Sequence, residues 1–406
     1  MEGKFDVVIV GGGLAGLSLA IGLADHGHNA ALLEARKGVA PVKRGMSLAP
    51  NGLQVLEKLH LLGDIEGIGR KLRTVKYVKG SGELLVAYDY NLLNTQPNYL
   101  VAFLPHELEM LLRRRAEEKQ VKIFDGASFD TFLRENGRVS GVQATIGGAK
   151  QELAARVVIG ADGGRSKVRQ AAGIQANSKQ SKASYVVTVA GAVADGSSEE
   201  ACHYLAKGRM LGSFPLPHGQ YLFYYLPAGS FETVKAAGLE QFKTGLTTLA
   251  PELKGALDSA TSWDDFLYMI PQDLRVDSWV ADNVALVGDA AHSIEPSLGQ
   301  GGSLTLNDVD ILLDVLDVCF SKSDFSANAL KSYEEARRAQ TESLGRMAEL
   351  TAMLMNTSNS IVERYRDRTL RKMRENQRSM MLAMEMASGM KQKFSWWEKL
   401  RLAGLI

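Results

Sequence analysis

Cysteine is almost missing from this chain of 406 residues, which carries only Cys202 and Cys319. Two thiols so far apart form neither a disulfide framework nor a metal-ligand cluster, and a reducing cytoplasm is the expected compartment. Neither sign of charge is in excess, because 47 Lys and Arg stand against 46 Asp and Glu. A net charge of +1 supplies no field to hold a polyanion, so nucleic acid is not an expected partner. No apolar run reaches the ~18 residues that a spanning helix needs. The opening Met1-Glu2-Gly3-Lys4 has no cationic leader pattern or small-residue cleavage site and is expected to lead straight into a strand. Internal repeats and low-complexity tracts are also missing. What remains is an ordinary globular composition, 45% apolar and 23% charged, long enough for two domains or one large interrupted one.

The apolar pattern begins with a buried strand over Phe5 to Val10, a helix over Leu14 to His26 and a second buried strand over Asn29 to Leu33. That βαβ opening belongs to a parallel, doubly wound sheet. The spacing of Leu53, Leu56, Leu59 and Leu62 predicts one helix over Asn51 to Leu62. From Thr74 to Tyr90 the pattern becomes strand, Gly-Ser-Gly turn, strand; Glu107 to Lys119 returns to helix. Residues from about Ser184 to Tyr268 are aromatic and strand-rich, and from Leu304 onward almost everything has helical period.

Three stretches carry chemistry. Gly11-Gly12-Gly13-Leu14-Ala15-Gly16 follows a strand and opens a helix. In that context Gly11 permits the tight turn, Gly13 lets backbone approach a pyrophosphate, and Gly16 allows close packing of helix on strand. The helix N-terminus offers N–H groups to phosphate, and Glu34, followed by Ala35 and Arg36, is placed to accept from a ribose hydroxyl. The second stretch ends a buried strand at Gly160-Ala161-Asp162-Gly163 and runs into Arg165, Lys167 and Arg169, basic residues that suit phosphate. An Asp-Gly turn with a helix cap at Ser166 is the plainer reading of the same residues. The third delivers Gly288-Asp289 at a strand end and continues through His292, Pro296 and Gly299-Gln300-Gly301-Gly302 into a helix near Ser303. A flavin edge against that helix N-terminus would gain about 0.3–1 kcal/mol from the dipole when exposed, and up to ~2 when partly buried.

In this order and separation the three stretches, over roughly residues 5–325, resemble the single-component flavoprotein monooxygenases of the para-hydroxybenzoate hydroxylase family. The resemblance implies an α/β fold, in which a Rossmann-like FAD-binding domain with a parallel sheet is interleaved with a β-sheet substrate domain and followed by a helical C-terminus. Residues 1–73, 98–183 and 271–325 are assigned to the first, 74–97 and 184–270 to the second, and 326–406 to the third. It implies non-covalent FAD, NADH or NADPH as a transient reductant without its own Rossmann domain, and O₂. Asp289 would bond the FAD ribitol chain, Asp162 would serve both FAD and NAD(P)H, and Pro296 through Gly302 would line the flavin ring. Arg44-Gly45 occupies the place of an arginine near the nicotinamide route. His106 stands where relatives often carry an FAD-contacting arginine, and Ser303 where many carry asparagine.

The implied reaction forms a C4a-hydroperoxide on the flavin and delivers oxygen to a small, largely apolar aromatic or polycyclic substrate. The protein's part is to keep that site dry and the substrate in range, with no fixed acid–base pair required. His292 reads more simply as a structural residue of its turn than as a proton relay. Alternation puts Tyr221, Phe223 and Tyr225 on one strand face and Leu222 and Tyr224 on the other; one face covers a core and the other can meet substrate. Met373, Met380, Met381, Met384, Met386 and Met390 lie in a basic helical tail ending Phe394-Ser395-Trp396-Trp397. Helix packing or a homodimer contact is the plain reading of this tail; a substrate lid or a surface-lying membrane contact are the others. Two rival functions share the fold. An FAD-dependent reductase or dehydrogenase would transfer hydride without activating O₂, and a non-catalytic FAD-binding protein would show no substrate-stimulated NAD(P)H oxidation.

Overall fold

The computed structural model describes residues 4–193, 198–391 and 393–404; Met1, Glu2 and Gly3 of the expected strand entry lie outside them. Strand Lys4–Val10 is the centre of an eight-stranded sheet, paired in parallel with Ala149–Gly160 on one side and Ala30–Glu34 on the other. Strands Lys122–Asp125 and Val284–Leu286 extend this parallel core outward. Val7, Val8 and Ile9 have no solvent exposure, as befits a strand covered on both faces. The glycine-rich turn leads into helix Leu14–Asp25, which packs beside helices Pro105–Glu118 and Gly301–Lys322.

A seven-stranded sheet forms the second layer, running Leu267–Met269, Ala183–Ala190, Gly219–Pro227, Arg209–Leu216, Glu200–Ala206, Thr74–Lys79 and Leu84–Asp89. Its two faces bury different clusters. One packs Val186, Tyr204, Leu211 and Leu222 against Phe242, Leu246 and Leu257. The other, the inner face, packs Tyr185, Phe214, Tyr221, Phe223 and Tyr225 with Met373, Met380, Met381 and Met384.

Two expected elements differ. The helix expected over Asn51 to Leu62 is two helices, Pro50–Lys58 and Leu62–Ile68, because His60 takes a left-handed conformation (φ 58°) that ends the first. The region from Ser184 to Tyr268 is not strand throughout: helices Phe231–Ala236, Leu239–Leu249 and Lys254–Leu257 cover the outer face of the sheet. After residue 326 the chain forms helices Ala327–Met355, Ser360–Glu375, Gln377–Ala387 and Trp396–Leu402. Among the described residues no helix is long and apolar enough to cross a membrane.

Candidate functional site

The three glycine-bearing stretches meet at the carboxyl ends of the parallel strands, where open α/β sheets take their ligands. Gly11 has φ 113°, and a Cβ there would overlap the Ala161 carbonyl oxygen. The first turn therefore presses against the second, and only glycine tolerates the approach. Gly16 meets the Gly11 carbonyl in the same way, whereas Gly13 faces open space within 4 Å. Gly163, Gly164 and Gly301 face open space too. The bare backbone of these turns thus borders an open trough beside the N-terminus of helix Leu14–Asp25.

Glu34 is buried; its Oε2 accepts from Gly12 N at 2.8 Å, and Oε1 accepts from Arg36 N at 2.8 Å and Arg36 Nε at 3.0 Å. Burial works to raise its carboxyl, but the bonds from Arg36 and Gly12 outweigh it and hold Glu34 below the usual carboxylate range. Arg36 also reaches Glu109 at 2.7 Å, so its guanidinium is shared between two carboxylates rather than free for phosphate. Ala35 joins the two.

Asp162 Oδ2 accepts from Lys167 N at 2.6 Å and Val168 N at 3.2 Å, while Oδ1 is buried with no partner among the described residues. Ser166 accepts from Arg169 N at 2.9 Å, so the plain helix-cap reading of this turn holds beside the other. The expectation that Arg169 suits phosphate is corrected. Its guanidinium is committed to the Ala290 carbonyl at 2.9 Å and the Gly164 carbonyl at 2.8 Å, tying the second turn to the third.

Asp289 sits on the Gly288–Ala290 turn, its surface open to the trough though protein crowds around it. That crowding raises its carboxyl, partly offset by His292 and Arg44. Among the described residues nothing hydrogen-bonds it. Arg44 is exposed nearby, and Gly45 lies flat against the Tyr221 ring. Pro296 and Gly299 are exposed, Gly299 in a left-handed turn (φ 64°). His106, in the first turn of helix Pro105–Glu118, has Nδ1 buried without a partner.

Helix Gly301–Lys322 begins two residues earlier than expected, so Gly301 and Gly302 form its first turn. Gly302 is packed, since a Cβ there would strike Met46 Cε. Ser303 accepts from Ala49 N at 3.1 Å. The Gln300 side chain does not face the trough as expected. Fully buried, it donates to the Ala387 carbonyl at 2.6 Å and accepts from Asn51 at 3.1 Å, fastening the methionine-rich tail over the helix start.

His292 Nε2 lies 2.6 Å from Asp308, and Arg337 holds the other Asp308 oxygen at 2.8 Å. Burial would raise Asp308, but His292 and Arg337 outweigh it and keep it below its ordinary range. This buried trio fixes the turn after Asp289, in agreement with the structural reading of His292.

Tyr221, Phe223 and Tyr225 share the inner face with Met269 and the tail methionines, and Tyr224 and Leu222 face the other way. Sequence reasoning missed Glu295. This buried carboxyl accepts from Tyr185 at 2.5 Å and Ser181 at 2.8 Å, and burial raises it. Its place directly before Pro296 was the available signal. A separate cavity of about 620 Å³ lies on the outer face, lined by Lys76, Tyr204, Gln220 and Glu252. It touches none of the trough residues and is not the site. Among the described residues no cluster suits a metal ion.

Residues 4–348 match the family described as FAD binding domain. The chain is 26% identical to 6-methylpretetramide 4-monooxygenase of Streptomyces rimosus, over 88% of this chain and 85% of that protein. It is 28% identical to the FAD-dependent urate hydroxylase of Klebsiella oxytoca, over 81% and 85%. The fold is that of Pseudomonas aeruginosa PqsL, solved in complex with 2-aminobenzoylacetate (TM-score 0.75, 24% identity, 86% of this chain and 98% of that one).

Proposed function

Because the chain belongs to the FAD binding domain family and is an FAD-dependent monooxygenase driven by NAD(P)H and O₂, we propose that the trough holds FAD and that the inner face of the seven-stranded sheet receives an aromatic or polycyclic substrate. Bound FAD supplies the electron transfer and oxygen activation. The rest is positioning. Gly11, Gly13, Leu14, Ala15 and Gly16 bring backbone to the pyrophosphate, and Glu34 and Arg36 close its ribose end. Asp289, open and unpartnered, bonds the ribitol hydroxyls, while Asp162, whose buried Oδ1 has no protein partner, and Gly163 form the neighbouring turn. Pro296, Gly299 and Gly301 border the flavin ring, and Arg44 guards the approach for the nicotinamide. His106, whose buried Nδ1 has no protein partner, stands at the cofactor side of its helix. Tyr221, Phe223, Tyr225 and the tail methionines exclude water from the space next to the ring.

The single observation behind this reading is the convergence of three strand-end turns whose glycine backbone is open and whose aspartates, exposed Asp289 and half-buried Asp162, have carboxylate oxygens without a protein partner among the described residues. Replacement Asp289→Ala tests it. The variant should lose most of its FAD on desalting and recover it only at high added FAD, as read from the flavin-to-protein absorbance ratio. A fully flavinylated variant would remove Asp289 from this role.

Similarity to a 6-methylpretetramide 4-monooxygenase and to a urate hydroxylase supports a ring-containing substrate. The unpaired thiols of Cys202 and Cys319, both raised by burial, support a cytoplasmic setting. Trp396 and Trp397, each 65% exposed beside Lys393 and Lys399, support a peripheral membrane contact.

A further inference from the structure

On the inner face, strand pairing aligns Tyr77, His203, Gly212, Phe223 and Val187 in one row across five strands. Gly212 has no side chain, and the Phe223 ring lies over it to reach His203, with centroids 5.6 Å apart. Tyr77 stacks on the opposite side of the imidazole at 4.6 Å, and Phe214 meets it edge-on at 5.5 Å. His203 is 6% exposed, and its Nδ1 is buried without a hydrogen-bond partner among the described residues. A buried nitrogen left unsatisfied costs about 1–3 kcal/mol, so a group that completes it is favoured.

The box is not closed. Tyr77 and Tyr221 are enclosed by protein yet keep accessible surface, as does Phe223, so space abuts these rings. Tyr221 also packs on Gly45, next to Arg44, which acts on its hydroxyl from the side of the glycine-bearing turns.

We propose that His203 is the specificity-determining polar contact of the substrate chamber, hydrogen-bonding through its ring nitrogen to a hydroxyl, ring N–H or carbonyl on an uncharged edge of an aromatic substrate. This rests on the monooxygenase reading and names a substrate class within it. Burial holds the imidazole neutral, its pKa lowered to about 4, so it can donate or accept one bond but offers no charge to an anion. A carboxylate end pushed among Tyr77, Phe214 and Phe223 would be left unpaired, at a cost that a neutral edge avoids. The substrate thus enters with its neutral polar edge toward His203.

The test uses the oxidised holoenzyme and the matched probes phenol and toluene, naphthol and methylnaphthalene, with binding read from the flavin absorbance shift. Each pair swaps a hydroxyl for a methyl of similar size. The wild type should bind the hydroxyl member more tightly, by about five- to tenfold, the worth of one buried hydrogen bond. His203→Phe should erase that preference while leaving binding of the methyl member in place, and His203→Gln should restore part of it. If His203→Phe fails to retain flavin, His203→Leu supplies the same comparison. An undiminished hydroxyl preference in these variants, or none in the wild type, overturns the proposal. Because no turnover is read, failure of oxygen transfer would strike the monooxygenase reading and leave this result separate.

Discussion

His203 also gives the molecule a pH signature. Its folded pKa is lowered from 6.5 to about 4 by burial, and the rings packed on it, Tyr77, Phe214 and Phe223, carry no charge in that range. Below the ordinary histidine value the unfolded chain takes a proton that the folded chain refuses. Stability is therefore complete above about pH 6.5 and falls as the pH drops toward 4, by roughly 3 kcal/mol over the window. Denaturant unfolding at a series of pH values should show this slope in the wild type and a shallower one in His203→Phe. Equal slopes would mean that the imidazole is not buried neutral. Asp308 adds a second acid-sensitive contribution at lower pH. With its folded pKa depressed, its stabilisation is present above the unfolded value and lost as pH falls through the folded one.

Between elements, the contact that matters most is Gln300, which ties the start of helix Gly301–Lys322 to the end of helix Gln377–Ala387. Gln300→Ala should leave the Ala387 carbonyl and the Asn51 amide short of a partner, at about 1–3 kcal/mol locally. Hydrogen exchange over residues 377–391 should accelerate while exchange in the parallel sheet stays unchanged; uniform acceleration would instead indicate global destabilisation. This coupling was not legible in the sequence, since an amide between glycines resembles a backbone-lining residue until its distant partner is known. The parallel core was legible, because strand Lys4–Val10 is buried on both faces and leaves a continuous apolar run. The break at His60 was hidden, as its leucines keep helical spacing through a left-handed residue. Helices Phe231–Ala236 and Leu239–Leu249 escaped notice because the aromatics that seat them on the sheet, Phe231, Phe242 and Trp263, look like strand residues. Arg169 misled in the opposite way, since a basic residue after a strand-end aspartate fits phosphate and carbonyl clamping alike. Which face of the Tyr221–Tyr225 strand turns toward the C-terminal helices was visible only in the pairing and packing, with Tyr221, Phe223 and Tyr225 on the side of the tail methionines.

At the scale of the whole molecule, one layer carries the three glycine-bearing turns and the other presents an aromatic wall, with the C-terminal helices packed along that wall by Leu370, Met373, Ala383 and Met384. The end of the tail then turns its indoles outward. If that surface meets lipid, the protein should sediment with anionic phospholipid vesicles, and Trp396→Ser with Trp397→Ser should abolish the pelleting; no pelleting of the wild type would return the tail to packing alone. The arrangement as a whole claims that oxygen passes from O₂ to a ring-bearing substrate held against the inner face. Turnover of the holoenzyme with NAD(P)H under isotopically heavy dioxygen, across naphthol-, quinolone- and polyketide-like compounds, tests that most directly. Mass spectrometry should find one heavy oxygen atom in the product; label arriving from water instead, or NAD(P)H oxidation that yields only unlabelled, dehydrogenated product, would contradict it.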